Sequence, residues 1–219
     1  MVDEERRSQA SSEKLYVPAG HFYSPIVKRS EAERHLLTLR EKQIPASIPN
    51  IPIERSEMVD LWGRLLPFLT TNPFPDAVTS PFRYAFENPS YSWGDASVLH
   101  AMIRLYRPRR MIEIGCGWSS ACTLDTVEHY LNGECQITFI DPYPALVQGL
   151  IGKTSVPVTV LGVEVQNVPL DTFDVLQDGD VLFIDSTHVL RTGSDVCMEL
   201  FEILPRLSPG VLVHFHDMF

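Results

Sequence analysis

Two closely spaced glycines, Gly115 and Gly117, follow a predicted strand over Arg110–Ile114. Glycine lacks a side chain, so the backbone at such a turn can approach a ligand more closely than any other residue permits. A second predicted strand, Gln136–Ile140, ends at Asp141. A carboxylate at that point is placed to accept hydrogen bonds from ribose hydroxyls. This spacing predicts a site for a cofactor that contains a nucleoside.

Glu113 indicates which cofactor this is, because it places a carboxylate on a strand that is otherwise apolar. A nicotinamide fingerprint normally has an apolar residue there, whereas S-adenosylmethionine carries an ammonium and a sulfonium that a carboxylate can neutralise. Ser119 and Ser120 stand where a nicotinamide fingerprint would have its third glycine, and a helix predicted over Asp95–Tyr106 precedes the first strand. These features favour S-adenosylmethionine over NAD.

Three alternatives stay open on these residues alone. Glu113 could instead pair with Arg109 or Arg110 as a strand-end carboxylate. The chain could be an NAD-dependent oxidoreductase, since a glycine turn after a strand also serves nicotinamide. It could also be a non-catalytic nucleoside-binding or assembly protein.

A second group of reactive side chains follows two later strands. Asp185 and His188 come after one apolar run, and His216 and Asp217 come after the last one. Ligands of open parallel sheets bind beyond the carboxyl ends of the strands, so these residues are expected near the reacting end of the cofactor. In one mechanism, His188 or His216 is the general base. In the other, Asp185, His216 and Asp217 bind Mg²⁺ or another divalent metal that lowers the pKa of a substrate hydroxyl.

The elements that must position these residues alternate between helix and strand from Ser92 onward. Strands that alternate with helices predict right-handed crossovers and a parallel sheet. Helices are predicted at 95–106, 119–131, 145–152 and 195–204, a helical turn near 169–176, and strands at 110–114, 136–140, 158–161, 181–184 and 211–215.

The region before the sheet differs from the rest of the chain in amino-acid composition. Residues 1–14 are polar and are predicted to form a disordered tail. Residues 15–89 are rich in proline and aromatic side chains, and they are predicted to form an arm or cap with helices at 30–42 and 56–69. The cofactor-binding domain is then expected over residues 90–219. Asp95, at the start of the next helix, is interpreted as an N-cap.

Composition excludes several partners. The net charge is -10, so a nucleic-acid backbone would be repelled and nucleic acid is not expected as a partner. No apolar stretch approaches the length of a membrane span, and the first residues do not resemble a signal peptide. The 4 cysteines show no CxxC spacing and are interpreted as reduced thiols. These observations predict a cytoplasmic protein that does not associate with membranes.

Residues 88–219 resemble class I S-adenosylmethionine-dependent methyltransferases, especially the bacterial small-molecule enzymes of methyltransferase domain 24. The motifs that carry the resemblance stand in the expected order and are Tyr91-Ser92-Trp93-Gly94-Asp95-Ala96, Ile112-Glu113-Ile114-Gly115-Cys116-Gly117-Trp118-Ser119-Ser120, Phe139-Ile140-Asp141-Pro142-Tyr143, Val181-Leu182-Phe183-Ile184-Asp185-Ser186-Thr187-His188 and Leu204-Pro205-Arg206-Leu207-Ser208-Pro209-Gly210-Val211. The resemblance implies a Rossmann-like doubly wound parallel sheet of strand order 3-2-1-4-5. It also implies methyl transfer to an oxygen, or less favourably a nitrogen, of a small polar metabolite.

The resemblance also assigns roles to individual residues. The implied cofactor contacts are Tyr91, Glu113, Gly115, Gly117, Ser119, Ser120, Asp141, Pro142, Gln166 and Asp185. The candidate catalytic residues, drawn from their own chemistry, are His188 and His216, and the candidate metal ligands are Asp185, His216 and Asp217. The metal site is similar to that of catechol-type O-methyltransferases, although His216 stands where those enzymes have an acidic residue. The sequence ends after the fifth predicted strand, whereas related sheets continue with two more strands. We therefore expect a C-terminally truncated domain that self-associates through the uncovered fifth strand.

Overall fold

The computed structural model describes residues 16–21, 23–42, 54–152 and 154–217. The chain divides into two compact units, Met1–Ile53 and Glu54–Phe219. In the first unit, helix α1 spans Arg29–Glu41 and none of its residues is buried. The predicted disordered tail at residues 1–14 lies outside the described residues.

The second unit contains the remaining helices and strands. Its helices are α2 (Arg55–Leu69), α3 (Trp93–Tyr106), α4 (Trp118–Tyr130), α5 (Ala145–Ile151) and α6 (Asp195–Met198). Its strands are β1 (Arg110–Ile114), β2 (Gln136–Ile140), β3 (Val158–Leu161), β4 (Val181–Ile184) and β5 (Leu212–Phe215). Single 3₁₀ turns at Val165–Asn167 and Leu170–Thr172 connect β3 to β4.

All five strands are parallel, in the order β3-β2-β1-β4-β5. The predicted fold and strand order are confirmed. Strand β1 lies in the centre, where Glu113 is opposite Phe139 of β2 and Phe183 of β4. The glycine turn after β1 and the acid after β4 therefore reach the same edge of the sheet, as the carboxyl ends of parallel strands must.

Successive side chains of β1 point to opposite faces of the sheet. Met111 packs into one buried cluster together with residues of α3 and α4. Ile112 and Ile114 pack into a second cluster on the opposite face. Glu113 is thus directed towards the α4 side by the same alternation that buries its apolar neighbours.

Two helix boundaries differ from the predictions by two residues or more, and the other predicted helix ends lie within one residue of the observed ones. Helix α3 begins at Trp93 with Ser92 as its N-cap, so Asp95 lies inside the first turn and the N-cap interpretation was wrong. The helix expected over 195–204 is α-helical only as far as Met198, and continues as a π-helical turn Glu199–Ile203 and a 3₁₀ turn Leu204–Arg206. Pro205 has no N–H to donate to the preceding turn, so the regular α-helical pattern cannot continue through it.

A buried ion pair attaches the segment before α3 to helix α4. The carboxylate of Asp125 is fully buried and accepts a hydrogen bond from Arg83 Nη1 at 2.7 Å. It also accepts from the backbone N–H groups of Arg83 and Tyr84 at 2.7 and 2.8 Å. Arg83 Nη1 contacts Glu128 at 2.6 Å as well. Each buried oxygen of Asp125 is therefore paired, as a buried charge requires.

Among the described helices, none combines the length and the apolar character that crossing a membrane requires.

Candidate active site

Gly115 and Gly117 have different structural roles. Gly115 has a φ of +79°, and a Cβ atom placed on it would overlap the backbone carbonyl of Asp185. The close approach that demands glycine here is thus between the ends of β1 and β4. A Cβ on Gly117 would meet nothing within 4 Å. Gly117 is therefore the glycine beside open space, where a ligand can approach the backbone.

Glu113 lies behind this loop with its side chain fully buried. Its Oε1 accepts hydrogen bonds from the hydroxyls of Ser119 and Ser120, both at 2.7 Å, and Thr123 Oγ1 lies 3.4 Å from Oε2. Ser120 Oγ in turn accepts from the N–H of Gly117 at 3.1 Å. The carboxylate therefore joins β1 to the first turn of α4 and sets the path of the loop between them.

Arg109 and Arg110 do not neutralise Glu113 through any ion pair in the described part of the chain. The backbone N–H of Arg110 donates to Asp180 at 2.8 Å, and its guanidinium lies 3.3 Å from the same carboxylate. Burial raises the pKa of Glu113 to about 7, although the surrounding hydroxyls act in the opposite direction. An approaching cation would favour the ionised form of this carboxyl, while direct contact with the cofactor's ammonium stays a prediction.

Asp141 lies where a ribose-binding acid is expected. Its Oδ2 accepts the N–H of Cys116 at 2.9 Å, and its Oδ1 accepts the N–H of Tyr143 at 2.6 Å. The side chain is only partly buried, and each carboxylate oxygen has a further lone pair. Asp141 therefore holds the glycine loop to the end of β2 and keeps acceptor capacity for a ligand. The adjacent Pro142 is exposed.

Gln166 follows β3 in the 3₁₀ turn Val165–Asn167 and is exposed. Its Nε2 donates to the backbone oxygen of Gly193 at 3.1 Å, so its amide is engaged with the loop before α6. A contact between this amide and an adenine ring stays a prediction.

Tyr91 is the predicted cofactor residue with the most unusual environment. The side chain is buried, and its hydroxyl has no hydrogen-bond partner among the described residues. Burial, with further contributions from nearby acidic groups, raises its pKa far above the ordinary value, which keeps the hydroxyl protonated. Its backbone is fixed, since Tyr84 Oη donates to the Tyr91 carbonyl and Asn88 Oδ1 accepts its N–H, both at 2.7 Å. An orphaned donor of this kind fits a site whose acceptor is supplied by a ligand.

The structure brings together Asp185, His188, His216 and Asp217 beyond β4 and β5. His216 Nδ1 lies 3.1 Å from Asp185 Oδ1 and 3.7 Å from Asp217 Oδ1. His188 Nε2 lies 3.5 Å from Asp185 Oδ1 and 3.6 Å from Asp217 Oδ2. Two imidazoles thus share two carboxylates.

These four residues differ in accessibility. The side chain of His188 is 34% exposed and that of His216 is 10% exposed. The His216 ring packs against Tyr91, with 4.9 Å between the ring centroids. Burial and the neighbouring His216 lower the pKa of His214 to about 4, so its ring stays neutral near pH 7. His188 is therefore the imidazole that an acceptor can reach most easily.

Sequence reasoning missed the contact of Asp95 with this cluster. Its Oδ1 lies 3.6 Å from His216 Nε2, on the side of the ring opposite Asp185. The carboxyl end of β5 and the amino end of α3 are brought together only by the fold, so no local pattern could have predicted the pair.

The donor set also fits a divalent cation. Ligand atoms of Asp185, His216 and Asp217 lie within 4.8 Å of one another. A mixed nitrogen and oxygen set suits Mn²⁺ or a later transition metal better than Mg²⁺, which prefers oxygen. A similar grouping of Asp125, Glu128 and His129 does not fit a metal, because Arg83 already neutralises both of its carboxylates.

Comparison with known proteins agrees with this geometry. Residues 112–218 match the model of a family described as a methyltransferase domain, methyltransferase domain 24. A relative from Archaeoglobus fulgidus, described as an uncharacterized protein, is 27% identical over 165 residues, which is 74% of each chain.

Two solved structures are similar at low identity. One, described as cmcI-D160 with Mg and SAM, is 17% identical with a TM-score of 0.40, covering 81% of this chain and 70% of the other. A methyltransferase from Geobacter sulfurreducens is 16% identical with a TM-score of 0.33, covering 85% and 77%. Both TM-scores are below 0.5, so these two structures carry no argument about function. The similarity to methyltransferases therefore depends on the family match, the strand order and the glycine loop.

Residues 112–218 are thus similar to the methyltransferase-domain family, and the parallel sheet of order β3-β2-β1-β4-β5 with a glycine loop after β1 is the arrangement expected of a class I methyltransferase.

Proposed function

We propose that this chain is an S-adenosylmethionine-dependent methyltransferase. It transfers the methyl group of that cofactor to an oxygen atom of a small polar metabolite. The observation that carries the proposal is the convergence of Asp185, His188, His216 and Asp217 beyond β4 and β5. A hydroxyl is a poor nucleophile until its proton is removed, and this cluster offers both imidazole and carboxylate for that purpose.

Several residues would hold the cofactor, which supplies an activated methyl group on a sulfonium. The backbone at Gly117 borders open space, and the free N–H groups that begin α4 suit a carboxylate. Asp141 keeps lone pairs for ribose hydroxyls, and the Tyr91 hydroxyl has a hydrogen to donate. Glu113 acts on this site by fixing the loop through Ser119 and Ser120.

His188 is the proposed general base. Its Nε2 lies 3.5 Å from Asp185 and 3.6 Å from Asp217, so His188 faces the same two carboxylates as His216. It is also the more exposed of the two imidazoles. The backbone of His188 is held at a φ of +61°, an uncommon conformation for a residue with a side chain.

Asp185, His216 and Asp217 are the proposed ligands of a divalent cation. A cation there would lower the pKa of an acceptor hydroxyl, so that His188 removes the proton more readily. The cluster of Asp185, His188, His216 and Asp217 favours a polar acceptor and disfavours one that carries several negative charges.

Two experiments test the proposal in order. Isothermal titration of the intact chain with S-adenosylhomocysteine should show stoichiometric binding, and its absence would overturn cofactor use. Incubation with labelled S-adenosylmethionine and matched pairs of hydroxyl and amine acceptors, with and without Mn²⁺, should then yield methyl ethers. Exclusive methylation of nitrogen, established by NMR of the product, would contradict the choice of oxygen.

A further inference from the structure

Asp195 is joined by two short hydrogen bonds to the residue directly before the proposed base. Its Oδ2 accepts the backbone N–H of Thr187 at 2.8 Å, and its Oδ1 accepts the Thr187 hydroxyl at 2.6 Å. Both carboxylate oxygens are thus used on one residue. The first residue of α6 is thereby tied across the loop to the chain that leaves β4.

A second side-chain contact supports the same short segment. The Ser186 hydroxyl donates to Glu199 Oε2 at 3.2 Å. The backbone N–H of Asp185 still donates to the Ile114 carbonyl, and beyond Asp185 the chain leaves the sheet. The two residues between the sheet and His188 are therefore held by side chains of the helical segment that follows them.

The backbone of His188 depends on support of this kind. Its φ of +61° is costly for a residue with a side chain, and such conformations persist only where the surrounding structure fixes them. In the part of the chain that the structure describes, the backbone groups of His188, Val189 and Leu190 form no hydrogen bond. The constraint on His188 therefore comes from the residues that flank this segment, and Thr187 is the flanking residue that Asp195 holds.

The other end of the loop is closed independently of Thr187. The N–H of Arg191 donates to Ser194 Oγ at 3.2 Å, and the N–H of Ser194 donates to the Arg191 carbonyl at 3.0 Å. These contacts hold residues 191–194 as a turn of their own. Removal of the Asp195 carboxylate should therefore release His188 and leave that turn in place.

The Asp195 carboxylate is ionised near neutral pH. Partial burial acts to raise its pKa, but the hydrogen bonds from Thr187 outweigh this effect and lower the pKa below its ordinary value. Hydrogen bonds to an ionised acceptor are shorter and stronger than those between neutral groups. Asp195 is therefore well suited to hold the Thr187 backbone in one position.

We propose that Asp195 is a positioning residue, whose carboxylate holds Thr187 and so sets the turn that directs the His188 imidazole towards Asp185 and Asp217. His188 Nε2 lies 3.5 and 3.6 Å from these two carboxylates. Asp195 acts through Thr187 and not on the substrate. The inference rests on the proposed function, because it states what places the proposed base.

The first test measures backbone motion and needs neither cofactor nor acceptor. In ¹⁵N-labelled protein, the backbone amide of His188 should have an order parameter of about 0.85, the value of rigid backbone. Asp195→Ala should lower it below about 0.6. Asp174→Ala is the matched control, because Asp174 also uses both carboxylate oxygens, on Arg206 at 3.2 and 2.6 Å. A flexible His188 in the wild-type chain, or an unchanged order parameter in Asp195→Ala, would overturn the inference.

Variants of Thr187 separate positioning from folding. Thr187→Ser keeps both donors, so its His188 amide should have the wild-type order parameter. Thr187→Val keeps the shape of the side chain but removes the hydroxyl, so the order parameter should fall part of the way towards that of Asp195→Ala. An equal loss in both variants would show that packing of the Thr187 methyl group, and not its bonds to Asp195, fixes His188.

The second test measures methyl transfer, with the hydroxyl compound from which the wild-type chain forms a methyl ether in the screen above. Asp195→Ala should slow single-turnover transfer by roughly 10- to 100-fold, the effect of a small misplacement of a reacting group. The dissociation constant of S-adenosylhomocysteine should not change. In a His188→Ala background the same substitution should cause no further loss, because both changes act on one group. A full additional loss there would mean that Asp195 does not act through His188.

The proposed function and the role of Asp195 fail on different measurements. Absence of S-adenosylhomocysteine binding or of methyl ether formation by the wild-type chain would overturn the proposed function. A rigid His188 amide in Asp195→Ala, with normal transfer by that variant, would remove only the role of Asp195.

Discussion

The α-carbon of Gly115 faces the backbone carbonyl of Asp185 with no room for a side chain between them. Gly115 is the first residue of the glycine loop after β1, and Asp185 is the first residue after β4. Asp185 N also donates to the Ile114 carbonyl at 2.8 Å. The two halves of the site are therefore in direct backbone contact.

Gly115→Ala and Gly117→Ala should separate folding from ligand binding. At Gly115 the added methyl meets a carbonyl and φ is +79°, so we expect a loss of at least about 1–3 kcal/mol in the free energy of unfolding. At Gly117 the methyl enters open space, so the thermal midpoint should change little while affinity for S-adenosylhomocysteine falls. Denaturant melts and calorimetric titration measure the two effects. Equal destabilisation by both substitutions would contradict this distinction.

Tyr91→Phe removes a buried hydroxyl that has no partner among the described residues. We expect unchanged or slightly higher stability, with affinity for S-adenosylhomocysteine reduced by up to about tenfold if a ligand atom accepts that hydrogen. Tyr84→Phe is the matched control, because its hydroxyl donates to the Tyr91 carbonyl at 2.7 Å. That variant should lose about 0.5–1.5 kcal/mol of stability. If the Tyr91→Phe variant is less stable than wild type and binds S-adenosylhomocysteine with normal affinity, the Tyr91 hydroxyl does not donate to the ligand.

His188→Ala should slow methyl transfer by roughly 10²- to 10⁴-fold, the usual contribution of a general base. The dissociation constant of S-adenosylhomocysteine should stay within about twofold of the wild-type value. Single-turnover transfer of a labelled methyl group measures the chemical step, and His129→Ala, at an exposed position on α4, is the control. If His188→Ala retains the full single-turnover rate, another group removes the proton.

Arg83→Ala should be strongly destabilising because it leaves the fully buried Asp125 carboxylate without its counter-ion. Breaking one partner of a buried pair typically costs about 3–5 kcal/mol. Arg206→Ala is the contrasting variant, since Arg206 forms its 2.6 Å pair with Asp174 at the surface and should contribute little. Urea titrations of both proteins at one salt concentration provide the comparison, and similar midpoints would show that the Arg83 pair is dispensable.

Glu199→Gln should alter the pH dependence of stability. Glu199 is buried, its Oε1 has no partner among the described residues, and burial raises its pKa to about 7. The folded state therefore holds a proton that the unfolded state releases at lower pH. The wild-type contribution is fully present below about pH 4.5 and is lost as pH rises to about 7.

The Gln side chain cannot ionise, so the variant should gain on the order of 1–3 kcal/mol relative to wild type between pH 4.5 and pH 7. Denaturant melts across this range measure the difference. Glu202→Gln, exposed in the same π-helical turn, is the control and should show no such trend. A pH-independent difference between Glu199→Gln and wild type would contradict the raised pKa of Glu199.

The strands were the most predictable part of this fold. Val181–Ile184 is a short, wholly apolar run, and β1 and β2 are bounded by features that end strands, so local pattern was sufficient. The π-helical turn at Glu199–Ile203 was not predictable in this way. It depends on how the chain accommodates Pro205, which tertiary packing decides.

The candidate site shows the same division between local and long-range information. Gly117 and Asp141 follow strands, so their location at the carboxyl edge of the sheet was predictable from position alone. The partners of Glu113 were predicted as cofactor residues, yet the hydrogen bonds that Ser119 and Ser120 make with it depend on which face of β1 meets α4. The approach of Asp95 to His216 joins segments far apart in the chain and has no local signature.

Asp185 constrains how the enzyme can move during a reaction cycle. Its carbonyl meets Gly115, while its carboxylate meets His216 and His188. The glycine loop and the two imidazoles are therefore joined through one residue, so Asp185 forms a junction between the two halves of the candidate site. Admission of substrate and release of product are then expected to involve chain outside this junction, and the exposed residues 189–193, which follow His188, are adjacent to it.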